Sequence, residues 1–123
     1  MSDQVTESWP TELRVSKDRK TLIVTFNDGI SFDLSAELLR VRSPSAEVQG
    51  HSPSQRVTVG GKRHVEIMKM HAVGNYAVRI EFDDLHNTGI FSWVFLRDLG
   101  ETKEQSFADY EEELREKGLS RDR

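Results

Sequence analysis

Apolar and polar residues alternate along most of this chain, and the period of the alternation predicts its elements. Residues 21–26 carry Leu22, Val24 and Phe26 on one face and Ile23 on the other, a period-two pattern in β-branched and aromatic residues. Residues 12–16 place Leu13 and Val15 together, and residues 30–34 align Ile30, Phe32 and Leu34. Lys17-Asp18-Arg19-Lys20 is a charged turn between the first two strands. Asn27-Asp28-Gly29 tolerates positive φ and closes a hairpin between the second and third. The stretch 12–34 therefore reads as a three-stranded meander with one apolar face. A second pair of strands follows at 65–73 and 76–82, joined by Gly74-Asn75. The first aligns Val65, Ile67, Lys69 and His71; the second aligns Tyr76, Val78, Ile80 and Phe82.

Helical signals lie between and after these strands. Ser35 is placed to cap a short helix over 36–42 that carries Leu38, Leu39 and Val41. Ser43-Pro44-Ser45 ends it, because the residue before a proline avoids the helical region. Ser92 caps a second helix over 93–99, which Gly100 is expected to stop. Further on, Ser106-Phe107-Ala108-Asp109 has the form of a capping box, and Phe107, Tyr110 and Leu114 share one helical face before Gly118. Glu111–Arg115 and Glu113–Lys117 have the spacing of supporting i, i+4 pairs. Residues 47–62 are rich in Gly, Ser and Pro and read as a long loop, with Val57 and Val59 forming a brief strand before Gly60-Gly61. The expected architecture is α+β: small antiparallel sheets (a meander plus a hairpin), two short helices and a C-terminal helix. The expected organisation is a flexible N-terminus over 1–11, one domain over 12–100 and a helical tail over 101–123.

Composition narrows the function classes. A chain of 123 residues suits one domain with one modest core. It has no cysteine, which excludes disulfides, thiolate zinc sites, cysteine-ligated iron–sulfur clusters and a cysteine nucleophile within the chain. A net charge of −4 weighs against a general nucleic-acid binder. The opening MSDQVTESWP is polar and acidic, unlike a secretory signal, and no apolar run approaches the ~20 residues that span a bilayer. The expectation is a soluble cytoplasmic protein with neither nucleic-acid nor membrane partners.

Candidate chemistry gathers around the histidines: His51, His64, His71 and His86. Asp83, Asp84 and His86 lie in one turn, where two carboxylates beside an imidazole can bind a metal or fix a tautomer. The competing reading is an acidic turn that solvates itself, with His86 packed on Trp93. A zinc or iron site would need a further ligand, with His51 or His64 brought in by folding, and no two histidines have the i, i+4 spacing of a zinc enzyme. Gly60-Gly61-Lys62-Arg63 lacks the spacing of a phosphate loop. Arg56, Lys62, Arg63 and His64 are either a local basic patch for an acidic partner or ordinary solvated charges. No serine sits in a Gly-x-Ser-x-Gly elbow and no nucleophilic triad is legible. Phe91, Trp93 and Phe95 are too many apolar groups for one helix face, so Phe91 or Trp93 is expected to stay exposed and mark an interface.

Three stretches carry a family resemblance: LLRVRSPSAEVQGH (residues 38–51), VGNYAVRIEFDDLHNTGIFSWVFL (residues 73–96) and the early TFNDG hairpin. Together they resemble the gamma-butyrobetaine hydroxylase-like N-terminal domain family, long described as a domain of unknown function. The family often has Gly-His-Gly-Pro-Gly where this chain has Gly50-His51-Ser52-Pro53-Ser54. In the hydroxylases a similar domain precedes an Fe(II), 2-oxoglutarate oxygenase domain, and the catalytic iron belongs to that second domain. In the hydroxylases that first domain holds a structural zinc through three cysteines and one histidine, and the resemblance carries those ligand positions onto this chain. It places those positions on Ser43, on Ser45, near Val48 and on His86, so three of the four ligands are missing here. A similar domain also occurs fused to P-loop ATPase scaffolds that carry iron–sulfur clusters.

The expected function is that of a non-catalytic accessory or protein-interaction domain, linked to iron or iron–sulfur metabolism or to a 2-oxoglutarate oxygenase partner. Its expected contact surface is His51, Arg56, Lys62, Arg63, His64, Phe91 and Trp93, with no cofactor. The alternative is a weak zinc or iron binder using His86, Asp83 or Asp84, and a second histidine such as His51. A small hydrolase has no nucleophile–base pair in its favour.

Overall fold

The computed structural model of the chain describes residues 8–50 and 53–122. Among these residues it has an α+β fold made of two three-stranded antiparallel sheets and four α-helices. The first sheet is β1 (Pro10–Val15), β2 (Thr21–Phe26) and β3 (Ser31–Ser35), in that order. Helices α1 (Ala36–Val41) and α2 (Ala46–Gln49) follow. The second sheet is β4 (Ile67–Val73), β5 (Ala77–Phe82) and β6 (Gly89–Ser92). Then come α3 (Trp93–Glu101) and α4 (Lys103–Glu116).

The meander forms as its alternation dictates. Leu22, Val24 and Phe26 on β2 and Leu34 on β3 are buried, and Leu13, Val15 and Phe32 pack against them from the edges. The second sheet turns Ile67, Val78, Ile80, Phe82 and Phe91 toward the same core, which Leu38 and Leu39 of α1 and Leu96 and Leu99 of α3 complete. Burial of this apolar surface is the main favourable term. Arg19 ties the two sheets at their ends. It adopts a left-handed φ of 64°, its carbonyl accepts from Ile67 N at 2.8 Å, and its guanidinium donates to Ile67 O and Met68 O at 2.7 and 2.6 Å.

Several boundaries differ from the sequence expectation. The hairpin pattern of 65–73 breaks at a bulge: Ile67 opposes Phe82 and Lys69 opposes Glu81, so Met68 is an extra residue. A bulge shifts the inward face by one position. Ile67 and Met70 therefore face the core, whereas Met68 is exposed. Tyr76 and Ile30 sit at turns and are exposed rather than inward. The polar turn after Phe82 returns into a third strand, β6, and α2 forms where a loop was expected. Val57 and Val59 form no strand.

The helices depart from the expectation in two places. Gly100 does not stop α3 but lies inside it, because a methyl group there would fall 2.5 Å from the Phe32 ring. Helix α4 starts at Lys103, so Ser106 lies within it and caps nothing. Its apolar stripe does dock. Tyr110 and Leu114 are buried against Val41, and the Tyr110 hydroxyl donates to Val59 O at 2.7 Å. The Glu113 carboxylate turns to partners other than Lys117. It accepts two hydrogen bonds from the buried Arg42 guanidinium, at 3.1 and 2.8 Å, and one from Arg56 at 2.7 Å. Arg115 pairs with Glu112 rather than Glu111. Beyond Gly118 the chain lies along 61–63, with Gly61 N donating to Ser120 O and Arg63 N to Arg121 O.

The close approach of Phe32 to Gly100 gives a direct check. Alanine is the better helix former, yet Gly100→Ala is expected to lower stability by about 1–3 kcal/mol through overpacking. Urea unfolding of the variant reads the sign.

Candidate functional site

His86 and the resemblance positions Ser43 and Ser45 converge where the corner between α1 and α2 meets the turn between β5 and β6. Ser35 caps α1 through its side chain, which accepts from Leu38 N at 3.0 Å, and Ser45 caps α2 by accepting from Glu47 N at 3.1 Å. The corner between these caps presents Ser43, Ser45 and Glu47 to the turn. Across from it, the turn places His86 and Thr88 before β6 begins at Gly89.

His86 is buried, 5% exposed as a residue. Its Nε2 lies 2.9 Å from Ser43 Oγ and its Nδ1 lies 2.8 Å from Glu47 Oε1. A carboxylate only accepts, so Nδ1 carries the proton and donates to Glu47, while Nε2 accepts from the Ser43 hydroxyl. Burial, and then the Arg40 charge, hold the imidazole below the ordinary histidine value against the opposing pull of Glu47, which keeps it neutral. Its ring leans on Phe82, with centroids 6.1 Å apart; Trp93 instead donates its Nε1–H to Asn75 O at 2.8 Å. A second tie lies alongside: Ser45 Oγ and Thr88 Oγ1 are 2.6 Å apart.

Serine, histidine and glutamate thus stand in the order of a nucleophilic relay, which sequence spacing alone did not reveal. The sequence signal was present in Ser43-Pro44-Ser45 and His86, but the contact spans 43 residues. Ser43 has no exposed surface, so its hydroxyl cannot meet a substrate carbonyl. Gly89 closes the same spot: a Cβ there would lie 2.2 Å from Ser43 Oγ.

The other candidates are taken up in ion pairs and hydrogen bonds of their own. Asp84 accepts from Arg40 Nε at 2.7 Å, meets Lys62 Nζ at 2.5 Å and accepts from His86 N at 3.1 Å. Burial opposes the charge on Asp84, but Lys62, the His86 amide and Arg40 outweigh it and bring its pKa down to about 2. Asp83 accepts from Glu66 N at 3.0 Å. Of the cations read as a basic patch, Arg56 faces Glu113, Lys62 faces Asp84, and Arg63 meets Asp122 at 2.5 Å. His64 Nδ1 lies 3.4 Å from Lys20 Nζ, and His71 pairs with Glu81 at 2.5 Å on the outer face of the second sheet. Lys62, Arg63, His64, Asp83, Asp84, Arg121 and Asp122 line a cleft of about 300 Å³ in which both signs of charge are represented. His51 lies outside the described residues. Among those described, no three histidine, aspartate or glutamate side chains gather into a group able to hold a metal ion.

Phe91 is fully buried, edge-on to Phe95, so it belongs to the core and not to a surface. Trp93 is half-buried and packs at the core margin. The conspicuous exposed apolar residue is one the sequence reading passed over. Leu85 is 87% exposed and adopts a left-handed φ of 76° at the tip of the same turn.

A two-sheet α+β domain with a buried polar corner is the class that this geometry defines. The chain belongs to the family described as "Gamma-butyrobetaine hydroxylase-like, N-terminal", whose model matches residues 13–97. It is similar to a protein solved by NMR in solution at 44% identity, covering 92% of this chain and 89% of that one with a TM-score of 0.78. A second NMR structure is similar at 41% identity over 98% and 90% of the two chains, with a TM-score of 0.81. A crystal structure of a DUF971-family protein of unknown function from Acidithiobacillus ferrooxidans shares 38% identity over 74% and 91%, with a TM-score of 0.61. None of the curated proteins matches. No helix among the described residues is long and apolar enough to cross a membrane.

The zinc that the family resemblance implies does not fit this donor set. Ser43 and Ser45 offer neutral hydroxyls, Val48 offers no donor, and both nitrogens of His86 are engaged by Ser43 and Glu47.

The depressed pKa of Asp84 sets a pH dependence. A carboxylate whose folded value lies below the unfolded 3.8 adds stability above the ordinary carboxylate range and loses it as pH falls toward about 2. Unfolding free energy measured from about pH 5 to about pH 2 is expected to fall less steeply in Asp84→Asn than in the native protein.

Proposed function

We propose that this protein is a non-catalytic interaction domain whose contact point is the Asp83–His86 turn. The observation that carries this reading is Leu85. A left-handed φ in a side chain with a Cβ costs roughly 1–2 kcal/mol. Arg19, the other non-glycine residue with positive φ among the described residues, offsets that cost with guanidinium bonds across the sheets. The backbone of Leu85 closes the turn, its N–H donating to Phe82 O at 3.1 Å, but a glycine makes the same turn at Gly29 and the Leu85 side chain adds no packing, being 87% exposed. The turn accounts for the backbone angle but not for a leucine in that position, and an exposed leucine held at a strained angle is a feature that a binding surface explains. Asp84 and His86, anchored on either side, hold the tip rigid, which lowers the entropy lost on docking.

The partner this surface fits is a protein with an apolar socket for Leu85. The family description and the resemblance to domains joined to oxygenase and iron–sulfur scaffolds point to a partner in iron or iron–sulfur chemistry or a 2-oxoglutarate oxygenase. Burial of Ser43 supports the absence of catalysis at the serine–histidine pair. The alternative reading, a metal site at His86 with Asp83 or Asp84, has no specific observation in its favour, because His86 and Asp84 are both fully engaged.

Two measurements test the proposal. Leu85→Asn, with a residue that tolerates left-handed φ, is expected to raise stability by about 0.5–1 kcal/mol. A photo-crosslinking residue placed at position 85 in cells is expected to trap a discrete partner, competed by the native protein but not by Leu85→Asn. The same residue at Val94, also exposed, serves as the control. Equal adducts at both positions, or none at 85, contradict the proposal.

A further inference from the structure

We infer that the Ser43–His86–Glu47 cluster is a metal-free lock, which joins the α1–α2 corner to the β5–β6 turn at the place where the family resemblance puts a zinc. The inference is independent of the Leu85 reading. It rests on six residues acting together. Ser43 and Ser45 reach across to His86 and Thr88 through two parallel hydrogen bonds, of 2.9 and 2.6 Å. Glu47 takes the remaining imidazole nitrogen at 2.8 Å. Val48, at the position implied for a third cysteine, is 1% exposed and fills space as an apolar side chain.

A structural metal cross-links segments that are distant in sequence and so offsets the entropy of bringing them together. Here the same two segments, 43–48 and 86–88, are cross-linked by hydrogen bonds, of which the Ser43–His86 bond is buried from water, where an unmade bond is costly, while Glu47 and Thr88 reach in from the surface. Both ring nitrogens of His86, the Ser43 hydroxyl and the Ser45 hydroxyl find partners within this set, so the lock is closed without an ion. Gly89 completes the packing, since a Cβ at that position would lie 2.2 Å from Ser43 Oγ.

The test uses thermal unfolding of the full chain with zinc sulfate alone as the probe. The native protein is expected to show the same Tm, within about 1 °C, in excess EDTA and with one equivalent of Zn²⁺. Ser43→Ala strands His86 Nε2 and is expected to lower Tm by roughly 5 °C. The triple variant Ser43→Cys, Ser45→Cys, Val48→Cys is expected to take up one zinc per chain and to acquire an EDTA-sensitive Tm. A native Tm that rises by several degrees with one equivalent of zinc overturns the inference. So does a Ser43→Ala protein with unchanged Tm, or a folded triple-cysteine variant that binds no zinc. If the triple variant fails to fold, the native titration and Ser43→Ala still decide the matter.

Discussion

An imidazole taken out of water must have both ring nitrogens paired, and in this protein that requirement joins two halves of the chain. His86 sits between Ser43 on one side and Glu47 on the other. Each of those residues is presented by a helix start or corner, which depends on Ser35 and Ser45 capping α1 and α2. The sheets supply the apolar core, but their inner faces alone do not fix how the corner and the turn meet. The pairing of His86 does, because few other arrangements satisfy the nitrogens, the serine and the carboxylate at once.

Charges reinforce the same arrangement from outside. Asp84 gathers Arg40 from α1 and Lys62 from the long connection, so the turn is held to both. Glu113 does the equivalent for α4, drawing in Arg42 and Arg56. Arg42 is nearly buried, and a buried guanidinium left without its carboxylate would cost several kcal/mol. Glu37, also buried, meets Arg121 beyond the end of α4. Residues that look in the sequence like a basic patch are therefore better described as the cationic halves of ties between distant segments.

How much of this was legible in the sequence depends on distance along the chain. The meander was readable because Asn27-Asp28-Gly29 and the alternation on either side are local signals. The helix starts at Ser35 and Ser92 were readable for the same reason. Met68 was not, because a bulge leaves composition unchanged and shifts only the register. Gly100 resembled a stop signal, yet its lack of a side chain serves contact with Phe32. Glu113 offered Lys117 at helical spacing, but Arg42, 71 residues away, provides the bidentate geometry. At the site, the acidic turn and His86 stood out as residue types, whereas their partners followed only from the fold. Leu85 escaped notice because an isolated leucine in a polar turn carries no periodic signal; its backbone angle and exposure give it meaning.

The most direct test of this account is the protonation pattern of His86, read by long-range nitrogen–proton NMR correlation of the labelled native protein. The account predicts a neutral ring near pH 7 with the proton on Nδ1, slow to exchange with solvent because it is held by Glu47 in a buried site. A proton on Nε2, or a ring that titrates and exchanges like a free histidine, would contradict the central role given to the Ser43–His86–Glu47 pairing.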